Sequence, residues 1–144
     1  VLAQAVEKGI AVDLVQAHLR GDISAFQDSV SESVFHKLTA DIDARKKDGL
    51  IIDPTILNFE EVETEVLYLE GVGPVVSPTY RVQQIHCVRD KDEEVVDGSE
   101  TDVRMKYYRM ILTQHYVTDD DNEDDGYVVW KVADYGFFGD EKFY

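Results

Sequence analysis

Cysteine occurs once, at Cys87, and proline only three times in 144 residues. One thiol cannot close a disulfide within the chain or build a cysteine-based zinc cluster, so ordinary packing has to hold the fold. With 44% hydrophobic residues the chain has enough apolar surface to offset ordering entropy, which excludes disorder throughout. No apolar run approaches the ~20 residues that a membrane-spanning helix needs, and the first residues lack the charged and apolar regions of a secretory signal. The sequence begins at Val1 without a methionine, as a processed product or a fragment would. Basic residues are scarce too: 14 Lys and Arg stand against 30 Asp and Glu, a formal charge of −16. Such a domain is repelled by nucleic acid and by anionic lipid, so a nucleic-acid partner is disfavoured and membrane contact is peripheral at most. A basic protein segment fits better, and the plainer reading is that the charge keeps the protein soluble.

The length suits one core. Residues 1–20 are good helix formers, with Leu2, Val6, Ile10 and Leu14 recurring every fourth position. Gly21 and Asp22 break the pattern, and Asp22 reads as the N-cap of a short helix with Ile23, Phe26 and Val30. Ser31 caps the next helix, expected over 32–47, which aligns Val34, Phe35, Leu38 and Ile42 and ends at Gly49. After Leu50, β-branched and aromatic residues predict four strands near 55–69, 79–89, 103–117 and 127–137. Gly71, Gly73 and Pro74, then Asp97 with Gly98, then Asp125 with Gly126 mark the turns, and such short links imply antiparallel pairing. Alternation puts Tyr80, Val82, Gln84, His86 and Val88 on one face, and Val128, Trp130 and Val132 on one face of the last strand. Glu60, Glu61, Glu63 and Glu65 blur the first strand, where a bulge is expected. Helices followed by a long meander define an α+β fold, with N-terminal helices packed on a curved four-stranded antiparallel sheet that forms a cone.

Gly21-Asp22 with Phe26, the helix through Phe35 and Leu38, Gly49-Leu50, Gly73-Pro74, Val88-Arg89-Asp90, Val95-Val96-Asp97-Gly98, Val103-Arg104-Met105, Tyr127 and Trp130-Lys131-Val132-Ala133-Asp134 follow one another in an order and spacing that resemble the Tim44-like domain family. The resemblance covers roughly residues 14–137. It implies a fold related to nuclear transport factor two, with an apolar pocket, and a division into an N-terminal helix at 1–20 and the domain proper at 21–144. It also implies a non-catalytic adaptor or scaffold peripheral to the matrix face of the mitochondrial inner membrane. Its partners there would be protein subunits of an import complex. The alternative within binding proteins is a subunit of a mitochondrial ribosome or respiratory assembly that retains the domain.

Chemistry at single sites is weakly signalled. The run Asp119, Asp120, Asp121, Asn122, Glu123, Asp124, Asp125 holds six carboxylates in seven residues. Read as a calcium loop from Asp121, it places Val132 where an acidic ligand is required, so no metal is assigned, and no cofactor either. A solvated hairpin tip that attracts a basic partner is the favoured reading of these six acids. Cys87 and His86 are neighbours in a strand and point to opposite faces, which argues against nucleophilic catalysis. His18 and His36 are expected on helix surfaces. No acid/base dyad is evident, and the different-class alternative, a cone-fold isomerase or dehydratase, would need His86, Tyr107 and Asp134 to project into the pocket. No catalytic residue is assigned. Phe26, Phe35, Leu38, Tyr80, Val82, Tyr107 and Trp130 are expected to form the core and line the pocket, with Trp130 facing the helix of Phe35 and Leu38. Arg89, Arg104 and Arg109 are expected to pair with acids.

Overall fold

The computed structural model describes the backbone of residues 2–119 and 122–142, and the side chains of 7–118 and 126–139. Helix α1 spans Leu2–Arg20, a single 3₁₀ turn spans Ile23–Ala25, and helix α2 spans Glu32–Lys47. Strands β1 (Ile51–Ile52), β2 (Ile56–Leu69), β3 (Gly73–Arg89), β4 (Val95–Asp119) and β5 (Asn122–Lys142) follow.

Both helices stop for the same reason. Gly21 and Gly49 adopt left-handed backbone (φ 74° and 69°). In each case the next residue's amide reaches back across the last turn, Asp22 to the Ala17 carbonyl and Leu50 to the Arg45 carbonyl, at 2.9 Å. Ser31 Oγ accepts from the Val34 amide at 3.4 Å and so caps α2. The short helix expected after Asp22 is reduced to one turn, because the backbone at 29–31 is tied to β5 instead. The Val132 amide donates to the Ser29 carbonyl and the Ser31 amide to the Val132 carbonyl, both at 2.9 Å.

The sheet is an antiparallel meander ordered β2, β3, β4, β5, with two-residue β1 extending the β2 side along the end of β3. It curls into a half-barrel against the helices, the α+β cone predicted from the sequence. The strands are longer than expected, and two of the expected turns lie inside them. Between β3 and β4 the chain turns at 90–94: the Asp90 side chain accepts from the Asp92 and Glu94 amides, and Glu93 has φ 65°. Gly98 (φ 71°) instead pairs with Cys87 next to a register shift. A Cβ on Gly98 would stand 1.9 Å from the His86 carbonyl oxygen, so only glycine fits that bulge. Gly126 likewise lies within β5.

Bulges decide which residues face the helices. Tyr80, Val82 and Gln84 are buried as alternation predicts, but the shift between Ile85 and Cys87 changes the phase, and Cys87 is buried where His86 was expected. A shift at Ala133 leaves both Val132 and Tyr135 buried. The core joins Ala11, Leu14, Val15 and Ala17 of α1, Phe26 and Val30 of the connection, and Val34, Leu38 and Ile42 of α2 to Tyr80, Val82, Tyr108, Met110, Leu112, Val132 and Tyr135 of the sheet. Of the expected stripe, Leu14 is buried and Ile10 packs partly buried against the core, while the side chains of Leu2 and Val6 lie outside the described residues. A repeat of four drifts by about 40° each time around a helix of 3.6 residues per turn. The face that stays over the sheet is Glu7, Ala11, Leu14, Val15 and His18.

Candidate functional site

Three elements meet at His18. Its Nε2 lies 2.8 Å from Asp41 Oδ2 of α2, and its Nδ1 lies 3.1 Å from the Tyr135 hydroxyl of β5. With Asp41 ionised, Nε2 carries the proton and donates it, and Tyr135 donates to the bare Nδ1. Arg45 donates to the His18 carbonyl at 2.6 Å. Burial pushes the His18 pKa down against the pull of Asp41, and the nearby charges of Arg45 and Lys106 add to the lowering. Burial also raises the Tyr135 hydroxyl, helped by Tyr108. His18, Asp41 and Tyr135 line a groove of about 270 Å³ with Lys37, Leu38, Gly136 and Phe137. Lys37 Nζ donates to the Tyr135 carbonyl at 3.0 Å and also lines a second groove, of about 260 Å³, that includes Arg109, Asp134 and Phe138.

Another polar group is enclosed under α1. Glu7 is only 7% exposed, and Tyr80 donates to its Oε1 at 2.9 Å. Glu61 of β2 faces the same carboxyl, and Thr64 Oγ1 donates to Glu61. Burial raises the Glu7 pKa; the bond from Tyr80 opposes this, and the charge of Glu61 adds to it. Burial and the Glu7 charge together raise Tyr80. The cavity beside Glu7, closed by Val76, Leu112 and Trp130, is about 20 Å³, room for a water molecule and nothing larger.

The residues expected at the core and pocket separate into groups. Phe26, Leu38, Tyr80 and Val82 are buried in one cluster, and Phe35 and Trp130 pack half-buried against it. Phe35 meets Phe26 edge-on at 6.1 Å, while Trp130 lines the small cavity with Glu7 of α1. Tyr107 lies outside the cluster, stacked on Phe138 at 5.5 Å. His86 pairs with Asp97 at 3.1 Å, and Asp134 is exposed beside the second groove, so His86, Tyr107 and Asp134 do not meet in one pocket. Two histidine–carboxylate pairs, at His18 and at His86, correct the expectation that no such dyad exists. His18 is also not on the helix surface, whereas His36 is, beside Glu32. Arg89 and Arg104 pair with Glu100 and Asp102, but Arg109 bonds Thr79 Oγ1 and lies over the Phe138 ring. The side chains of Asp119, Asp120, Asp121, Glu123, Asp124 and Asp125 fall outside the described residues. Val132, the twelfth position of the rejected calcium loop, is fully buried in β5. Among the described residues, no group of three or more His, Cys, Asp or Glu is placed to hold a metal ion. No described helix is long and apolar enough to cross a membrane.

Sequence reasoning missed Glu7, Asp41 and Tyr135 altogether. The available signal was the spacing of Glu7, Ala11, Leu14 and His18 on one helical face. Two polar members and one alanine hid it from a search for large apolar residues.

In chemical terms, the His18 joint has both ring nitrogens occupied by protein partners, and the Glu7 carboxyl faces no space for a substrate. Both arrangements bind helices to sheet. The broad surfaces are elsewhere, where Val62, Val66, Leu67, Tyr68, Leu69, Val72, Tyr116, Tyr127 and Val128 are exposed. The chain is thus a helix-capped, curled antiparallel sheet with internal polar joints and exposed apolar hairpins. The sequence model of the Tim44-like domain matches residues 3–135, and the chain belongs to that family. Similar proteins include mitochondrial import inner membrane translocase subunit TIM44-1 of Arabidopsis thaliana, 26% identical over 84% of this chain and 25% of its own length. The TIM44 subunit of Saccharomyces cerevisiae is 27% identical over 93% of this chain and 31% of its own, and that of Homo sapiens 26% over 89% and 27%. The chain thus spans about a quarter to a third of these relatives.

Proposed function

We propose that this domain is a non-catalytic adaptor of a mitochondrial protein-import assembly, peripheral to the matrix face of the inner membrane. The observation that supports it most is the family match over residues 3–135, with relatives that are named as import translocase subunits. The site chemistry agrees with that reading: each of the two best-formed polar clusters is bonded within itself across elements, both ring nitrogens of His18 are taken by Asp41 and Tyr135, and the cavity beside Glu7 has room for no more than a water molecule. Core residues Phe26, Phe35, Leu38, Tyr80, Val82 and Trp130 then serve to hold the scaffold, and the acidic tip at Asp119, Asp120, Asp121, Glu123, Asp124 and Asp125 serves to attract a basic protein surface.

Protease protection and carbonate extraction of mitochondria test the placement. The protein should resist protease in intact mitochondria and in mitoplasts, and should leave the membrane in carbonate. Digestion in mitoplasts, or a protein absent from mitochondria, would overturn it.

A further inference from the structure

Strand β2 pairs with β3 along one side, and among the described residues nothing pairs with its other side. An unpaired edge offers a row of backbone donors and acceptors, which proteins usually blunt with lysine, proline or bulges. In β2 the irregularities lie between Ile56 and Asn58 and between Glu61 and Glu63. From Glu63 opposite Thr79 to Leu69 opposite Gly73 the register is unbroken. The whole strand contains no lysine, arginine, proline or glycine. Half of this edge is therefore regular in register, with Glu63 and Glu65 as its charged members.

The side chains along it are sorted by face. Thr64, Val66 and Tyr68 lie opposite Pro78, Val76 and Pro74, in phase with inward-facing Tyr80, while Glu63, Glu65, Leu67 and Leu69 take the other face. Val66, Leu67 and Leu69 are each about half exposed and Tyr68 is 80% exposed. We propose that residues 63–69 form a docking edge that receives an extended polypeptide segment with alternating basic and apolar side chains. Backbone bonds would come from the free edge. The partner's basic residues would oppose Glu63 and Glu65, and its apolar residues would cover Val66 and Tyr68. Charge selects this occupant over a second copy, because two chains at −16 each repel one another while a basic segment is attracted. The inference deepens the adaptor reading and rests on it. It names a partner chemistry and a surface distinct from the acidic hairpin tip.

The probe is a blocked peptide alternating lysine and valine, compared with a peptide of the same composition in helical order and with one alternating glutamate and valine. Binding is read by anisotropy, and the site by amide hydrogen exchange. The lysine–valine strand should bind and slow exchange within 63–69, and the other two peptides should not. The exposed double variant Glu63→Lys/Glu65→Lys should fold normally and lose affinity by about three- to tenfold, the worth of two exposed ion pairs. Unchanged exchange at 63–69 with the peptide bound, equal binding of the helical ordering, unaltered affinity of the double variant, or dimerisation through β2 would each overturn the proposal. Association with import subunits is measured separately, so a failure of the edge and a failure of the import reading give different results.

Discussion

Glu7 and His18 share one face of α1 and respond oppositely to pH. Glu7 has a folded pKa raised above its ordinary 4.5, so the folded protein holds its proton longer than the unfolded chain does. The stability tied to that proton is fully present below pH 4.5 and is lost as pH rises through the folded value. His18 has a folded pKa below its ordinary 6.5, so the unfolded chain binds the extra proton, and stability is lost as pH falls below 6.5. Urea unfolding of Glu7→Gln across pH should lack the decline above pH 4.5, and His18→Gln should lack the decline below 6.5. Identical pH profiles for wild type and either variant would show that the corresponding group is not perturbed. Tyr80→Phe removes the donor from a buried carboxyl and should cost about 1–3 kcal/mol in the same assay.

Single backbone contacts set the elements. Ser31 caps α2 and also lies 3.4 Å from the Ala133 carbonyl, so it joins a helix start to the β5 edge. Ser31→Ala should lower stability by about 0.5–2 kcal/mol in urea. Trp130→Ala, half-buried over α1, should cost no more than the lower end of the ~3–5 kcal/mol typical of core aromatics. Helix α2 was legible because its cap, its apolar face and its terminal glycine agree at every level. The strands were legible as β-rich stretches. Their phase was not, because the bulges at Gly98 and Ala133 arise from tertiary packing and carry only a glycine or an alanine as a local mark. Asp97 with Gly98 has the composition of a turn, yet Asp90 closes the actual turn with its own side chain. The core aromatics Phe26 and Tyr80 could be found from periodicity. The partners of His18 could not, since Asp41 and Tyr135 lie 23 and 117 residues away.

Across the whole molecule, charge is segregated. Arg45, Lys46 and Lys47 gather in the last turn of α2, where they favour the helix dipole, while acids dominate β2 and the β4–β5 tip. Such a tip accelerates association with a basic partner over about a Debye length and adds little affinity. Replacing Asp119, Asp120, Asp121, Glu123, Asp124 and Asp125 with Asn or Gln should slow association with the native complex and flatten its salt dependence, without unfolding the domain. If the neutralised protein associates at the same rate and with the same salt dependence as the wild type between low and ~0.15 M salt, the tip has only a solubilising role. The adaptor reading itself is tested most directly by isolating the tagged, full-length protein from mitochondria and identifying the subunits that accompany it. Import translocase subunits are the expected result. Ribosomal or respiratory subunits in their place, or the protein alone, would contradict it.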